Sequence, residues 1–194
     1  MIDGLERFYA VDPPPADRPW VIVSMVASVD GATALDGRSG PLGNDTDREV
    51  LRLARAAADV IVVGAATVRA EQYRPVRPPK QLVVISRTGD LGGAPAAGAP
   101  NTRVVSPPAG GAAGLAAVLA EHAAKVVVCE GGPSLNGQVL AGGLADEVLL
   151  TVSPRLLAGD SARIAHGPGA DPGTWQLRHV LVDEDHLFLR YRRR

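Results

Sequence analysis

A single cysteine, Cys129, stands among the 194 residues, so neither an intramolecular disulfide nor a cysteine-based zinc site can be built within one chain. An excess of charge of either sign is also missing. Lys and Arg total 20 and Asp and Glu 21, a formal net charge of −1, which gives no broad attraction to nucleic acid or to an anionic membrane. The closing Tyr191-Arg192-Arg193-Arg194 is locally basic and reads as a solvated tail. No apolar run approaches the roughly 18 residues of a membrane span, and residues 1–19 lack the apolar stretch of a secretory signal. The expected location is cytoplasmic. His122, His166, His179 and His186 show neither H-E-x-x-H nor another ligand spacing, so no metal is expected and no catalytic role falls to them. There is no G-x-x-x-x-G-K-[ST], and Ala109-Gly110-Gly111-Ala112-Ala113-Gly114 lacks the first glycine of G-x-G-x-x-G. A P-loop and an ordinary Rossmann site are both disfavoured, and redox chemistry must come from a bound cofactor.

What is present describes a globular protein. Apolar residues make up 46% and charged residues 21%, and the length suits one hydrophobic core. Residues 1–18, with Pro13-Pro14-Pro15, predict an extended leader, and 19–194 a single domain. The run Trp20 to Ala27, ended by Asp30-Gly31, predicts a buried strand. Thr46 with Glu49 three residues on predicts a capped helix, with Val50, Leu53, Ala54 and Ala57 along its apolar side. Short apolar runs at Val60–Val63, Leu82–Ile85, Val104–Val105, Val126–Val128 and Val148–Leu150 suit strands covered on both faces, and helical patterns fall at 112–123 and 134–141. Strands alternating with helices predict an α/β layered sheet, mostly parallel. The segments 175–180 and 187–191 alternate around Asp183-Glu184-Asp185 and predict a terminal antiparallel hairpin, while 88–101 and 156–173 read as loops.

In such a sheet ligands gather at the carboxyl ends of strands, where helix N-termini offer free N–H groups to phosphate. Two places qualify. In Val63-Gly64-Ala65-Ala66-Thr67, Gly64 permits close backbone approach and Thr67 offers a hydroxyl. In Cys129-Glu130-Gly131-Gly132-Pro133-Ser134, two glycines turn amides outward and Pro133 starts a helix. Taken alone, the second is either a tight connection or an anion cradle. Cys129 itself, ending a buried strand, reads as a core thiol.

Ala27-Ser28-Val29-Asp30-Gly31, Gly64 to Glu71 and Glu130 to Leu135, in this order and spacing, resemble the reductase half of the riboflavin biosynthesis deaminase/reductases. Leu144-Ala145-Asp146-Glu147 and Ser153-Pro154-Arg155-Leu156-Leu157 extend the resemblance over roughly residues 19 to 191. It implies a dihydrofolate-reductase-like three-layer fold, NADPH as cofactor, a homodimer, and reduction of the ribosylamino group of a phosphorylated pyrimidine to a ribitylamino group by hydride delivery to C1′. Carried over residue by residue, it places Val26, Gly64, Thr67 and Glu71 beside the cofactor, with Gly131, Gly132, Pro133, Ser134 and Leu135 as its phosphate turn. Ser86-Arg87 is similar to the place where this fold holds the 2′-phosphate, and arginine suits a dianion; otherwise Arg87 is an exposed loop charge. Substrate positions fall on Ser39, Arg55, Arg77 and Glu130, with Arg74 competing with Arg77. From the residues alone, Arg48, Arg52 and Arg55 form only a solvated helix stripe, and Glu130 either bonds substrate or satisfies local amides. The candidates for proton donor are Glu130, Asp30 and water, with Asp30 also reading as a turn residue.

The deaminase signature H-x-E with P-C-x-x-C is absent, Arg38-Ser39-Gly40-Pro41-Leu42-Gly43 lacks an aromatic residue that some relatives carry, and Glu71 replaces a common aspartate. These departures bear on substrate rather than cofactor. They leave two alternatives: a pterin reductase of the dihydrofolate type on the same fold, or a catalytically silent nucleotide-binding protein.

Overall fold

The computed structural model describes residues 2–11, 17–107, 111–122, 124–167, 169 and 173–194. The run Pro13-Pro14-Pro15, Ala109-Gly110 and Ala123 lie outside them. The apolar runs form β1 (Trp20–Ser28), β2 (Val60–Gly64), β3 (Gln81–Ile85), β4 (Thr102–Val105), β5 (Val126–Cys129) and β6 (Glu147–Ser153). With β7 (Trp175–Asp183) and β8 (His186–Arg193) they make one sheet of order β4-β3-β2-β5-β1-β6-β8-β7. The pairs from β4 through to β6 are parallel, whereas β8 runs antiparallel to both β6 and β7. The expected hairpin is therefore present, with Glu184 and Asp185 taking left-handed φ values of 47° and 61° at its turn.

Helices α1 (Asp45–Ala57), α2 (Ala65–Glu71), α3 (Ala112–Glu121) and α4 (Pro133–Ala141) complete three layers. Alternate residues of the central strands divide between two cores. Ile22, Ile61, Val63 and Val128 pack with Val50 and Ala54 of α1 and Val68 of α2. Val21, Val60, Val62 and Val127 pack with Leu115 and Leu119 of α3 and with Leu135 and Val139 of α4. Burial on both faces is why these strands read as continuous apolar runs instead of alternating ones.

Three expectations are corrected. Val104–Val105 is not covered on both faces, because β4 is the edge strand and leaves Val104 42% exposed, and in Val148–Leu150 only Leu149 is buried. The cap of α1 is Asn44, whose Oδ1 accepts from the Asp47 amide at 2.9 Å, and the buried Thr46 instead donates to Asp183 Oδ2 at 2.6 Å. Asparagine caps as well as threonine does, and the Thr46 hydroxyl is engaged by the hairpin. The leader is not uniformly extended: Leu5–Phe8 is a 3₁₀ turn, with Leu5 and Tyr9 buried in the first core. Arg190 holds it there, donating to Phe8 O at 2.6 Å and Ala10 O at 3.0 Å while Glu147 takes the same guanidinium at 2.7 Å. The fork of guanidinium donors serves two carbonyls and a carboxylate at once.

Candidate active site

The carboxyl ends of β1, β2, β3 and β5 open onto a cleft with two chambers. One, about 520 Å³, is lined by Val26, Ser39, Asp47, Glu71, Tyr73 and Glu130 among others. The second, about 500 Å³, is lined by Gly64, Ser86, Arg87, Ser134, Leu135 and Gln138 among others. Ala66, Thr67, Gly132 and Pro133 border both, so the chambers meet at the starts of α2 and α4.

That meeting depends on missing side chains. The Gly64 amide donates to Gly131 O at 2.6 Å, joining the two turns. A Cβ on Gly132 would lie 2.8 Å from Thr67 Oγ1, and one on Gly64 3.4 Å from the Gly132 nitrogen. Gly131 has φ of 76°, a conformation open to glycine. Helix α4 starts with Pro133, has no side-chain cap, and leaves the next amide, Ser134, at the border of the second chamber. Across that chamber Ser86 Oγ accepts from the Gly89 amide at 2.9 Å, bracing the turn that carries the exposed Arg87.

The first chamber holds three carboxylates in different circumstances. Glu71 Oε1 accepts from the Ser39 amide at 2.7 Å, so the two residues wall one side together. Glu130, with a side chain 4% exposed, takes both Arg55 Nε and Nη2 at 2.6 Å and the Tyr73 hydroxyl at 2.6 Å. Burial works against the Arg55 charge, but the Glu130 hydrogen bonds and charge outweigh it and raise the guanidinium pKa. Burial, reinforced by the Glu130 charge, lifts the Tyr73 phenol well above its usual range, so it stays a donor. Arg55 thus points at Glu130, and it is Glu130 and Tyr73 that face the chamber. Asp47 is the third. Burial pushes its carboxyl pKa above the ordinary value, against the lowering by Thr151, His186 and Arg48. Gly43 makes room for it, since a Cβ there would overlap Asp47 Oδ2.

The sequence carries one signal for Asp47: Asp47, Val50, Leu51 and Ala54 follow the i, i+3, i+4, i+7 rule, so an acid begins the inward-facing stripe of α1. Tyr73, just beyond α2, carried no comparable signal. Asp30 lies elsewhere: its carboxylate accepts from Ser28 Oγ and from the Leu157 and Ala158 amides at 3.0 and 2.7 Å, holding a loop, and it does not line either chamber. The hydrogen bonds from these partners, Ser28 first, lower its pKa. Arg74 and Arg77 are exposed beyond α2 and line neither chamber. Cys129 is fully buried, and desolvation pushes its thiol up to about 12. Among the described residues no cluster of His, Cys, Asp and Glu could hold a metal, and no helix is long and apolar enough to cross a membrane.

Comparison with known families gives one match over most of the chain, to the RibD C-terminal domain at residues 19–97 and 112–189. The chain belongs to that family. No curated protein matched the sequence significantly. Among solved structures, this RibD C-terminal domain is similar to a pyrimidine reductase-like protein from Corynebacterium diphtheriae, with TM-score 0.76, 23% identity, and 90% of this chain and 92% of that one covered. It is also similar to Acinetobacter baumannii RibD, with TM-score 0.76, 21% identity, and 92% of this chain against 59% of that one. The RibD C-terminal domain further superimposes on a dihydrofolate reductase from Enterococcus faecalis complexed with NADP(H), with TM-score 0.63, 18% identity, and 90% and 96% covered. Likeness at these identities establishes the dihydrofolate-reductase-like fold.

Proposed function

We propose that the chain is a cytosolic NADPH-dependent reductase of a phosphorylated ribosylaminopyrimidine, working as a homodimer. The observation that carries this reading is the continuity of the cleft: an amide-rich, cation-flanked chamber opens, at Thr67 and Gly132, into one lined by carboxylates. The residues present fit the cofactor. Gly64 and Gly132 leave the space that a Cβ would fill, α4 turns its N-terminus toward phosphate, and Arg87 supplies the cation for a 2′-phosphate. Val26, Thr67 and Glu71 border the nicotinamide end. Bound there, NADPH supplies a hydride.

The chain's own share is positioning and proton supply. Reducing a ribosylamine opened to its imine adds hydride to C1′ and a proton to the nitrogen. Asp47 is the carboxyl suited to hold that proton, because burial keeps it protonated to higher pH than an exposed aspartate. Glu130, fixed by Arg55 and Tyr73, offers its remaining lone pairs to pyrimidine or ribityl donors, with Ser39 lining the same chamber. Asp30 is tied into its loop and is not the donor in this reading.

The likeness to a dihydrofolate reductase favours one rival, reduction of a pterin. The test is NADPH binding followed by NADPH oxidation with the deaminated ribosylaminopyrimidine phosphate and, separately, with dihydrofolate. Turnover of the first alone supports the proposal, and turnover of the second alone replaces it. Binding without turnover on either indicates a silent nucleotide-binding protein, and no binding of NADPH overturns the reading.

A further inference from the structure

The two chambers differ in the sign of the charge that lines them. Among the described residues, the charged groups on the first are the acids Asp47, Glu71 and Glu130, and those on the second are Arg69 and Arg87. The two arginines are held differently. Arg87 is exposed, and its guanidinium is without a partner among the described residues. Arg69 stands in the last turn of α2, four residues on from Ala65 and so on the same side of the helix, and is half-buried. Its Nη1 donates to Asp90 O at 2.7 Å. Its stem lies against Gly92, where φ is 59° and a Cβ would stand 2.8 Å from Arg69 Cγ and 2.9 Å from Cδ. The loop that receives Arg69 is itself braced. Thr88 Oγ1 accepts from the Asp90 amide at 3.3 Å, Asp90 Oδ1 accepts from the Gly92 amide at 2.8 Å, and Leu91 is buried in the first core. One N–H of the Arg69 fork is thus taken by a carbonyl, and no carboxylate among the described residues takes the others.

We propose that Arg69 is the fixed half of a two-arginine clamp on the 2′-phosphate of NADPH, completed by Arg87, and that Arg69 decides the choice of NADPH over NADH. The inference rests on the reading of the second chamber as the phosphate end of the cofactor site and names the residue on which selectivity turns. A phosphate monoester carries close to two negative charges at neutral pH. One guanidinium balances about half of that charge, two balance nearly all of it, and no acid lines this chamber to oppose them. The shares of the two are unequal. Arg69 is already held by the Asp90 carbonyl and by Gly92, so it loses little side-chain freedom when the phosphate arrives, whereas the exposed Arg87 must give up most of its own. NADH, which has a hydroxyl in place of the phosphate, leaves two like charges in one chamber with no anion between them, and this adds discrimination against it.

Isothermal titration calorimetry with 2′,5′-ADP and 5′-AMP, which differ only in the 2′-phosphate, tests this without turnover. The wild-type chain binds 2′,5′-ADP about 10³-fold more tightly than 5′-AMP, as expected of two charge-assisted contacts. Arg69→Met keeps a stem beside Gly92 and removes the charge. It cuts that ratio by about 100-fold, more than Arg87→Met does, and leaves the affinity for 5′-AMP within about twofold of the wild type. Arg69→Lys keeps the charge and loses the fork, so its ratio falls between those of Arg69→Met and the wild type; it supplies the same comparison if Arg69→Met misfolds. Equal binding of the two nucleotides by the wild-type chain overturns the NADPH reading of this chamber and the clamp with it. A wild-type preference that survives both Arg69→Met and Arg69→Lys overturns the role of Arg69 and leaves the NADPH reading standing. A loss shared equally by both nucleotides does the same, because it makes Arg69 a brace of the loop 88–92 and nothing more.

Discussion

Replacing Glu130 by glutamine removes one charge and almost no volume, and its effect can be worked from the cluster around it. Breaking a fully buried ion pair costs about 3–5 kcal/mol, and breaking an exposed one under about 1 kcal/mol. Here the Glu130 side chain is 4% exposed and that of Arg55 37%, so water reaches one partner and the figure must be discounted. The glutamine amide also turns a donor toward donors, although the Tyr73 hydroxyl can reverse and accept. A loss of about 2 kcal/mol is the result, or about 4–8 °C in Tm at about 2–4 °C per kcal/mol for a chain of this size. Arg55→Met alone should cost a similar amount. The double variant should recover about 1 kcal/mol of the sum, because neither unpaired charge remains. Thermal unfolding of the four proteins by circular dichroism measures the cycle. If Glu130→Gln unfolds within about 1 °C of wild type while turnover collapses, Glu130 is a substrate ligand with no clamping role, and the energetic reasoning fails.

Asp47→Asn should lower kcat by about 10²–10⁴-fold and abolish the alkaline limb of the pH profile, because the protonated carboxyl is lost as pH rises through its raised pKa. The sign of the stability effect is opposite. A carboxyl whose folded pKa lies above its unfolded one contributes stability that is present at low pH and lost as pH rises through the folded value, so Asp47→Asn should melt higher than wild type at pH 7 and not at acid pH. Arg87→Ala should raise the KM for NADPH by about 10–100-fold and leave that for NADH unchanged, as expected for one charge-assisted phosphate contact; equal losses with both would remove Arg87 from the 2′-phosphate site. Gly132→Ala, with its Cβ 2.8 Å from Thr67 Oγ1, should destabilise by about 1–3 kcal/mol and weaken NADPH binding, and Thr67→Ala in the same chain should restore the Tm. Cys129 should react with a thiol reagent only at the rate of unfolding.

Burial on both faces was legible for β2, β3 and β5, because continuous valine runs have few other uses, but not the lighter cover of β4 at the sheet edge and of β6, and the hairpin was legible from its alternation and acidic turn. The two glycine turns could be located, but their contact could not. Gly64 and Gly131 are far apart in sequence, and their hydrogen bond exists only because β5 lies beside β2. For the same reason Arg55 looked like one charge of a solvated stripe, while its partner waited on another strand. The cap of α1 was misplaced by two residues since Asn44 and Thr46 are both good caps, and only the position of Asp183 across the fold decides between them. Asp30, beside the family's turn, resembled a reacting group until its acceptors were seen to be filled by a distant loop.

Helix α4 is fastened to the loop that follows β6. The carbonyl of His166 sits where a Cβ on Gly137 would be, 2.1 Å away, and the His166 amide donates to Pro133 O at 3.0 Å. Buried Asn136 adds a third tie, donating to Ile164 O at 2.7 Å. Helix α4 and the loop that carries Ser161 and Ala162 along the first chamber are therefore mechanically one piece. Ser134, Leu135 and Gln138 of the second chamber thus stand on the same unit as Ser161 and Ala162 of the first.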